Sequence, residues 1–262
     1  MNFNPVGIFD SGIGGLSIAQ AVWKILPNES TIYLADHQYF PYGQKTNTQI
    51  NDRLIKAVKF FKKHQVKLII IACNTATVVA LKKLRQKLNF PFIGTVPAIK
   101  PAVTKNQQGK IVILSTSKTS ASNYLKKLKT IFDKQDQTVI LACPQLAQDI
   151  ENYASSSWKI KQSLKKYLTK IPKNCSAVVL GCTHYILIKD ILRKMLPQNI
   201  KIIEPSQAIA RQTKKILLSK NLPASKNNQP IYKFFTTAHS QKASHSASSL
   251  LKTRIIFTSC SL

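Results

Sequence analysis

Leu68–Thr77 reads LIIIACNTAT, and the rest of the chain is interpreted outward from this stretch. Residues 66–72 (VKLIIIA) form a β-branched apolar run as long as a strand buried on both faces in the middle of a parallel sheet. Cys73 stands where that strand ends. Asn74–Leu84 (NTATVVALKKL) opens with capping-type side chains and continues as an amphipathic helix. Cys73 is therefore expected at a strand-to-helix turn. In doubly wound sheets ligands bind at this carboxyl edge, and a helix N-terminus there favours a thiolate.

The construction recurs at Ala177–Tyr185, AVVLGCTHY, where an apolar strand ends in Cys182 and Thr183 and a helix-like run, ILIKDILRKML, follows. Two such units predict a duplicated architecture with two facing thiols. Upstream, residues 4–9 (NPVGIF) predict a first strand and Leu16–Leu26 a helix, joined by the turn DSGIGG. Three of the chain's 8 glycines, Gly12, Gly14 and Gly15, fall in that turn, which lets backbone N–H groups approach and point at an anion. Ser17 stands where G-x-G-x-x-G needs its last glycine, so the turn is not a dinucleotide fingerprint. Asp10 and Ser11 end the first strand as Cys73 ends its own, which places them in the same crevice. The plainer reading of Asp10 is an N-cap of the following helix.

Further elements alternate along the chain. Strands are predicted at 30–35, 91–96, 110–114, 138–142 and 200–203, with helices at 46–65, 119–132, 158–170 and 205–219. DHQYFPYGQKT is an aromatic loop around Pro41 and Gly43, and its GQKT lacks the upstream glycine of a phosphate-binding loop. Pro97 and Pro101 mark a change of segment, and ASKNNQ (224–229) reads as a linker. IYKFFTT is then a strand, 240–252 a weak helix and RIIFTS a final strand. This alternation predicts an α/β fold with a mainly parallel sheet in each half.

The 262 residues carry 39 Lys+Arg against 10 Asp+Glu, a net charge of +29. The lysines are spread over nearly every predicted helix, the pattern of solvated faces, so nucleic acid is not expected as the primary partner. The positive field instead attracts a small anionic substrate. Five scattered cysteines do not form a disulfide framework, and free thiols are expected. No run of 18 apolar residues exists and the start MNFNPVGIFD lacks the charge and apolar length of a signal peptide, so the expectation is a cytoplasmic protein without a membrane partner.

Two thiols at equivalent turns suit a metal site, a redox pair, or an acid and a base on opposite faces of one substrate. Cys182 and His184 offer two ligands, but no second C-x-x-C or H-x-x-H completes a zinc site. Neither cysteine lies in a C-x-x-C pair or on a neighbouring turn. Inert buried cysteines are the plain alternative for either one alone, and less so for two at helix entries beside hydroxyl and amide side chains. What remains is racemisation by two bases: a thiolate removes a substrate's α-proton and a thiol opposite returns one. One thiol, ordinarily at pKa ~8.5, must then be lowered by its surroundings.

IFDSGIGGLS (8–17), PYG (41–43), ACNTAT (72–77) and GCTHY (181–185) closely resemble the glutamate racemases of the cofactor-independent aspartate/glutamate racemase superfamily, in the same order over about residues 5–236. The resemblance implies two similar, pseudo-twofold-related domains with the active site between them. Residues 1–96 plus 208–262 would form one domain and 97–207 the other. It implies interconversion of L- and D-glutamate without a cofactor or metal, supply of D-glutamate for peptidoglycan, and a homodimer as one assembly. By the same resemblance Cys73 and Cys182 are the acid/bases, assisted by Asp10, His184 and Glu151. Asp10, Ser11, Pro41, Tyr42, Gly43, Asn74, Thr75, Thr116, Thr119, Thr183 and His184 match substrate-binding positions. Ser115 replaces the glycine of the family's G-T-x-x-T turn, Ile186 replaces a proline after GCTHY, and the chain beyond residue 237 departs from the pattern. The rival readings are an aspartate or hydantoin racemase, or a second role on nucleic acid or a topoisomerase. A pyridoxal-phosphate enzyme is disfavoured because its motifs are missing.

Overall fold

A computed structural model describes residues 4–105 and 108–262, so residues 1–3 of the opening MNFNPVGIFD lie outside it. The described residues form ten strands: β1 (Val6–Asp10), β2 (Thr31–Ala35), β3 (Leu68–Ile71), β4 (Phe92–Gly94), β5 (Lys110–Ser115), β6 (Thr138–Ala142), β7 (Cys175–Gly181), β8 (Lys201–Ile203), β9 (Tyr232–Thr236) and β10 (Thr258–Ser259). They form two all-parallel sheets, one of six strands in the order β10-β9-β2-β1-β3-β4 and one of four in the order β6-β5-β7-β8. The α/β expectation holds.

Period-two alternation splits each strand between two apolar layers. In β1 and β3, Val6, Ile8, Leu68 and Ile70 face one layer while Phe9, Ile69 and Ile71 face the other. In the second sheet Val112, Leu114, Val178 and Leu180 oppose Ile111, Ile113, Ala177 and Val179.

The helices are α1 (Leu16–Ile25), α2 (Asn47–Lys63), α3 (Asn74–Lys87), α4 (Ile99–Lys105), α5 (Ser117–Ala121), α6 (Asn123–Phe132), α7 (Leu146–Asn152), α8 (Ser157–Leu168), α9 (Thr183–Leu187), α10 (Lys189–Met195), α11 (Ser206–Ser219) and α12 (Ser240–Leu251). Two single-turn 3₁₀ helices, His37–Tyr39 and Tyr42–Gln44, flank Pro41 in the aromatic loop.

Four local expectations are corrected. The helix expected over 119–132 is two, because Ser122 accepts the Leu125 N–H and starts a new helix. The run after Cys182 breaks at Ile188 into α9 and α10. RIIFTS yields only the two-residue edge strand β10; Ile255 and Phe257 instead sink into the core beneath β9. ASKNNQ is no loose linker, since Asn28 Nδ2 donates to Lys226 O (2.8 Å) and Glu29 Oε1 accepts the Ala224 N–H (2.7 Å).

Candidate active site

Parallel strands deliver their C-terminal residues to one edge, so β1, β2, β3 and β9 present Asp10, Asp36–His37, Cys73 and Thr236–Thr237 side by side. Cys73 is the N-cap of α3, its Sγ accepting the Ala76 N–H at 3.4 Å and lying 3.7 Å from Ser11 Oγ. Cys182 is the N-cap of α9, with Sγ 3.9 Å from His184 Nδ1. Each cysteine is 6% exposed.

Asp10 joins the two sides. Its Oδ1 accepts the Gly12 N–H (2.9 Å) and its Oδ2 accepts the hydroxyl of Thr183 (2.9 Å), the residue after Cys182. The helix it precedes is capped at Gly15 instead, so Asp10 is not an N-cap but a bridge between the sheets.

The glycine turn finds its anion within the protein. Ile13 N–H donates to Glu151 Oε1 at 2.8 Å, and the same oxygen lies 2.6 Å from His184 Nε2. A Cβ on Gly12 would run into Glu151 Oε1, and one on Gly14 would sit 2.7 Å from the His184 backbone nitrogen. Close approach is what this turn requires of glycine.

After Cys73, at the start of α3, three hydroxyls converge. Thr75 Oγ1 is 2.9 Å from Thr116 Oγ1 and 3.2 Å from Thr119 Oγ1, and Thr116 Oγ1 donates to Thr119 Oγ1 (3.1 Å). Beside them Asn74, 3% exposed, has no hydrogen-bond partner for either amide atom among the described residues. Buried amides are normally satisfied, so Asn74 offers a donor and an acceptor to whatever binds beside it.

The electrostatics separate the groups. Burial, with Asp10 adding to it, pushes the Cys73 thiol up to about 12, against the lowering expected from its helix terminus. Ionising it at neutral pH costs on the order of 7 kcal/mol, at about 1.36 kcal/mol per pKa unit. Burial also raises Asp10, although His184, Gly12 and Thr183 oppose it. Burial opposes ionisation of Glu151, yet His37 and His184 together hold it well below the usual carboxylate range. His184 is raised well above the usual imidazole value because its contacts with Cys182 and Glu151 outweigh burial.

Residues 16–213 match the sequence model of the Asp/Glu/Hydantoin racemase family. A glutamate racemase of Clostridium novyi is 40% identical over 233 residues, covering 87% of this chain and 90% of that protein. The chain belongs to the Asp/Glu/Hydantoin racemase family. It is an amino-acid racemase, an isomerase. A glutamate racemase of Pseudomonas syringae is 38% identical over 84% of this chain and 81% of its own. The crystal structure of glutamate racemase isoform RacE1 from Bacillus anthracis superposes with a TM-score of 0.89 at 31% identity, covering 100% of this chain and 99% of that one. The Francisella tularensis glutamate racemase, solved in complex with D-glutamate, superposes with a TM-score of 0.84 at 29% identity, covering 100% of this chain and 98% of that one.

Within this racemase the expected residues divide into groups. Cys73 and Ser11 form one, Cys182, His184, Glu151, Thr183 and Asp10 a second, and Thr75, Thr116 and Thr119 a third. A Cβ on Gly43 would lie 3.4 Å from Thr116 Cβ, which sets the aromatic loop against that third group. The Tyr42 hydroxyl is committed to Asp36 Oδ2 (2.6 Å), which Arg53 also clamps, so Tyr42 braces the loop; Pro41 leads into it. Thr183 likewise spends its hydroxyl on Asp10. His37, Thr236 and Tyr33, whose hydroxyl donates to Gly12 O (2.8 Å), were not expected. The signal for His37 and Thr236 was their place at strand ends.

Proposed function

We propose that this racemase interconverts L- and D-glutamate by two-cysteine proton transfer, with Cys73 and Cys182 flanking Cα. The observation that carries the reading is that two sheets each end a strand in a buried, helix-capping cysteine, and that Asp10 and Thr183 tie the two together. One thiolate takes the α-proton while the opposite thiol donates its own, and the reverse reaction exchanges the roles. With its thiol pushed up by burial, Cys73 begins as the proton donor. Cys182 rests against His184, whose ring accepts a thiol proton or stabilises a thiolate.

The neutral donors of the threonine cluster and Asn74 suit a dicarboxylate. Asn74 and the hydroxyls of Thr75, Thr116 and Thr119 offer a carboxylate hydrogen bonds, while Asp10 faces an ammonium. That ammonium, bound near Cys73, offsets the Asp10 charge that raises the thiol. Donors at the α-carboxylate stabilise the charge that develops there as the proton leaves. On this reading residues 1–96 plus 208–262 form one domain and 97–207 the other; β1–β4 with β9 and β10, against β5–β8, support that division. The product, D-glutamate, would serve peptidoglycan synthesis in the cytoplasm.

Circular dichroism tests the reading. Purified enzyme should bring L- or D-glutamate to a racemate and leave aspartate optically active. Racemisation of aspartate but not glutamate would overturn the substrate assignment.

A further inference from the structure

His37 follows β2 and lies between two partners. Its Nδ1 is 2.7 Å from Thr236 Oγ1 and its Nε2 is 3.0 Å from Glu151 Oε2. The Thr236 hydroxyl lies within hydrogen-bond reach of both His37 Nδ1 and Ala238 O (2.8 Å), and has one proton to give to either. On the other side an ionised carboxylate can only accept. Glu151 already takes the Ile13 N–H and faces His184 Nε2 through its other oxygen. For His37 to bond an ionised Glu151 through Nε2, that nitrogen must carry a hydrogen.

We propose that His37 is a positioning residue, whose Nε2–H holds the Glu151 carboxylate and thereby fixes the His184 ring against Cys182. The chain of contacts is Thr236, His37, Glu151, His184, Cys182. The Phe40 ring packs on both imidazoles, with centroids 5.3 Å from His184 and 6.2 Å from His37, and Phe257 lies 6.4 Å from His37 on another side. The charged groups facing His37 are Glu151 in direct contact, His184 across that carboxylate, and the adjacent Asp36, which Arg53 neutralises in a bidentate pair. Glu151 in this arrangement accepts from donors on both oxygens, and its carboxylate plane sets the orientation of His184.

The Nε2–H assignment stands on the contact with Glu151, whereas the positioning role rests on the racemase reading. Two measurements keep them apart. Long-range 1H–15N spectra of histidine-labelled enzyme should show His37 Nε2 protonated. A His37 with a bare Nε2 in the unmodified enzyme, which would place the proton on Glu151, overturns the proposal.

For the kinetic arm, His37→Leu should lower kcat about 10- to 100-fold with KM little changed. His37→Gln, which keeps one donor toward Glu151, should recover part of that loss. Enantiomers are equal in energy, so kcat/KM must fall equally in both directions. The α-deuterium isotope effect should nevertheless rise in the direction where Cys182 removes the proton and fall in the other. A merely structural loss leaves the two isotope effects matched, as does an unchanged kcat, and either result overturns the positioning role. If glutamate is not racemised at all, the functional reading fails while the imidazole spectrum still decides the state of His37.

Discussion

The two cysteine sites are alike in backbone and opposite in chemistry. Cys73 and Cys182 each end a buried parallel strand, cap a helix and are nearly closed to solvent. Around Cys73 the polar neighbours are a hydroxyl, one backbone N–H and the anion Asp10, and the thiol is pushed up to about 12. Around Cys182 stands an imidazole backed by Glu151 and His37. A duplicated scaffold has thus been given two different proton environments. On the proposed two-base reading each sulfur serves as acid in one direction and base in the other, so the two environments must carry out the same exchange by different means.

The largest effect should come from erasing either side. Cys73→Ala and Cys182→Ala should each lower racemisation by at least about 10²- to 10⁴-fold, the range of a lost acid or base. Far-ultraviolet circular dichroism should stay unchanged, since each substitution removes a single buried atom. Full activity in either variant would break the comparison at its root.

Next comes Gly14 of the glycine turn, which presses on the Cys182 side. In Gly14→Ala the new methyl would lie 2.6 Å from Thr183 Oγ1 and 2.7 Å from the His184 backbone nitrogen, neither of which is a flexible tip. Overpacking of this kind costs about 1–3 kcal/mol, and kcat should fall about 10²-fold as the His184 ring is displaced. Gly43→Ala, with its nearest neighbour at 3.4 Å, is the control and should melt within about a degree of the parent enzyme. Equal loss in both variants would show that His184 is not the sensitive partner.

The contrast between the sites was only half legible in the sequence. LIIIAC and AVVLGC announced themselves because strands buried on both faces read as unbroken apolar runs, and the carboxyl-edge rule then placed both cysteines. What separates the two sites is made by residues distant in the chain. His37 meets Glu151 across 114 positions and Thr236 across 199, because β9 returns to pair with β2. No local pattern encodes that neighbour. The glycine turn was read correctly as an anion site, but sequence cannot say that the anion is the protein's own Glu151. The thiolate expected at Cys73 was overruled by burial, which a one-dimensional reading does not measure.

A smaller effect should appear at the hydroxyl cluster, which belongs to neither thiol. Thr75→Val removes the hydroxyl that meets both Thr116 and Thr119. Losing one or two hydrogen bonds to a carboxylate costs about 1.5–3 kcal/mol, so KM for glutamate should rise about 10- to 100-fold. The kcat should change less. A fall in kcat at constant KM would instead move this cluster into the proton-transfer step.

The smallest effect is thermal, and its sign is set by the ionic contacts behind Cys182. Glu151 is held below its ordinary 4.5, so its contribution is present above that pH and is lost as pH falls through the depressed value. His184 is held above its ordinary 6.5, so its contribution is present below that pH and is lost as pH rises through the raised value. Glu151→Gln removes the ionised partner but keeps hydrogen-bonding atoms, so about 2 kcal/mol is the appropriate scale, or several degrees in Tm for a chain of this size. The gap between parent and variant should be widest in the interval from about 4.5 to 6.5 that both contributions share. Melting curves at acidic, mildly acidic and alkaline pH measure it. A gap that does not vary with pH would mean that Glu151 holds the Cys182 side by shape alone, and the two thiol environments would then differ in geometry but not in charge.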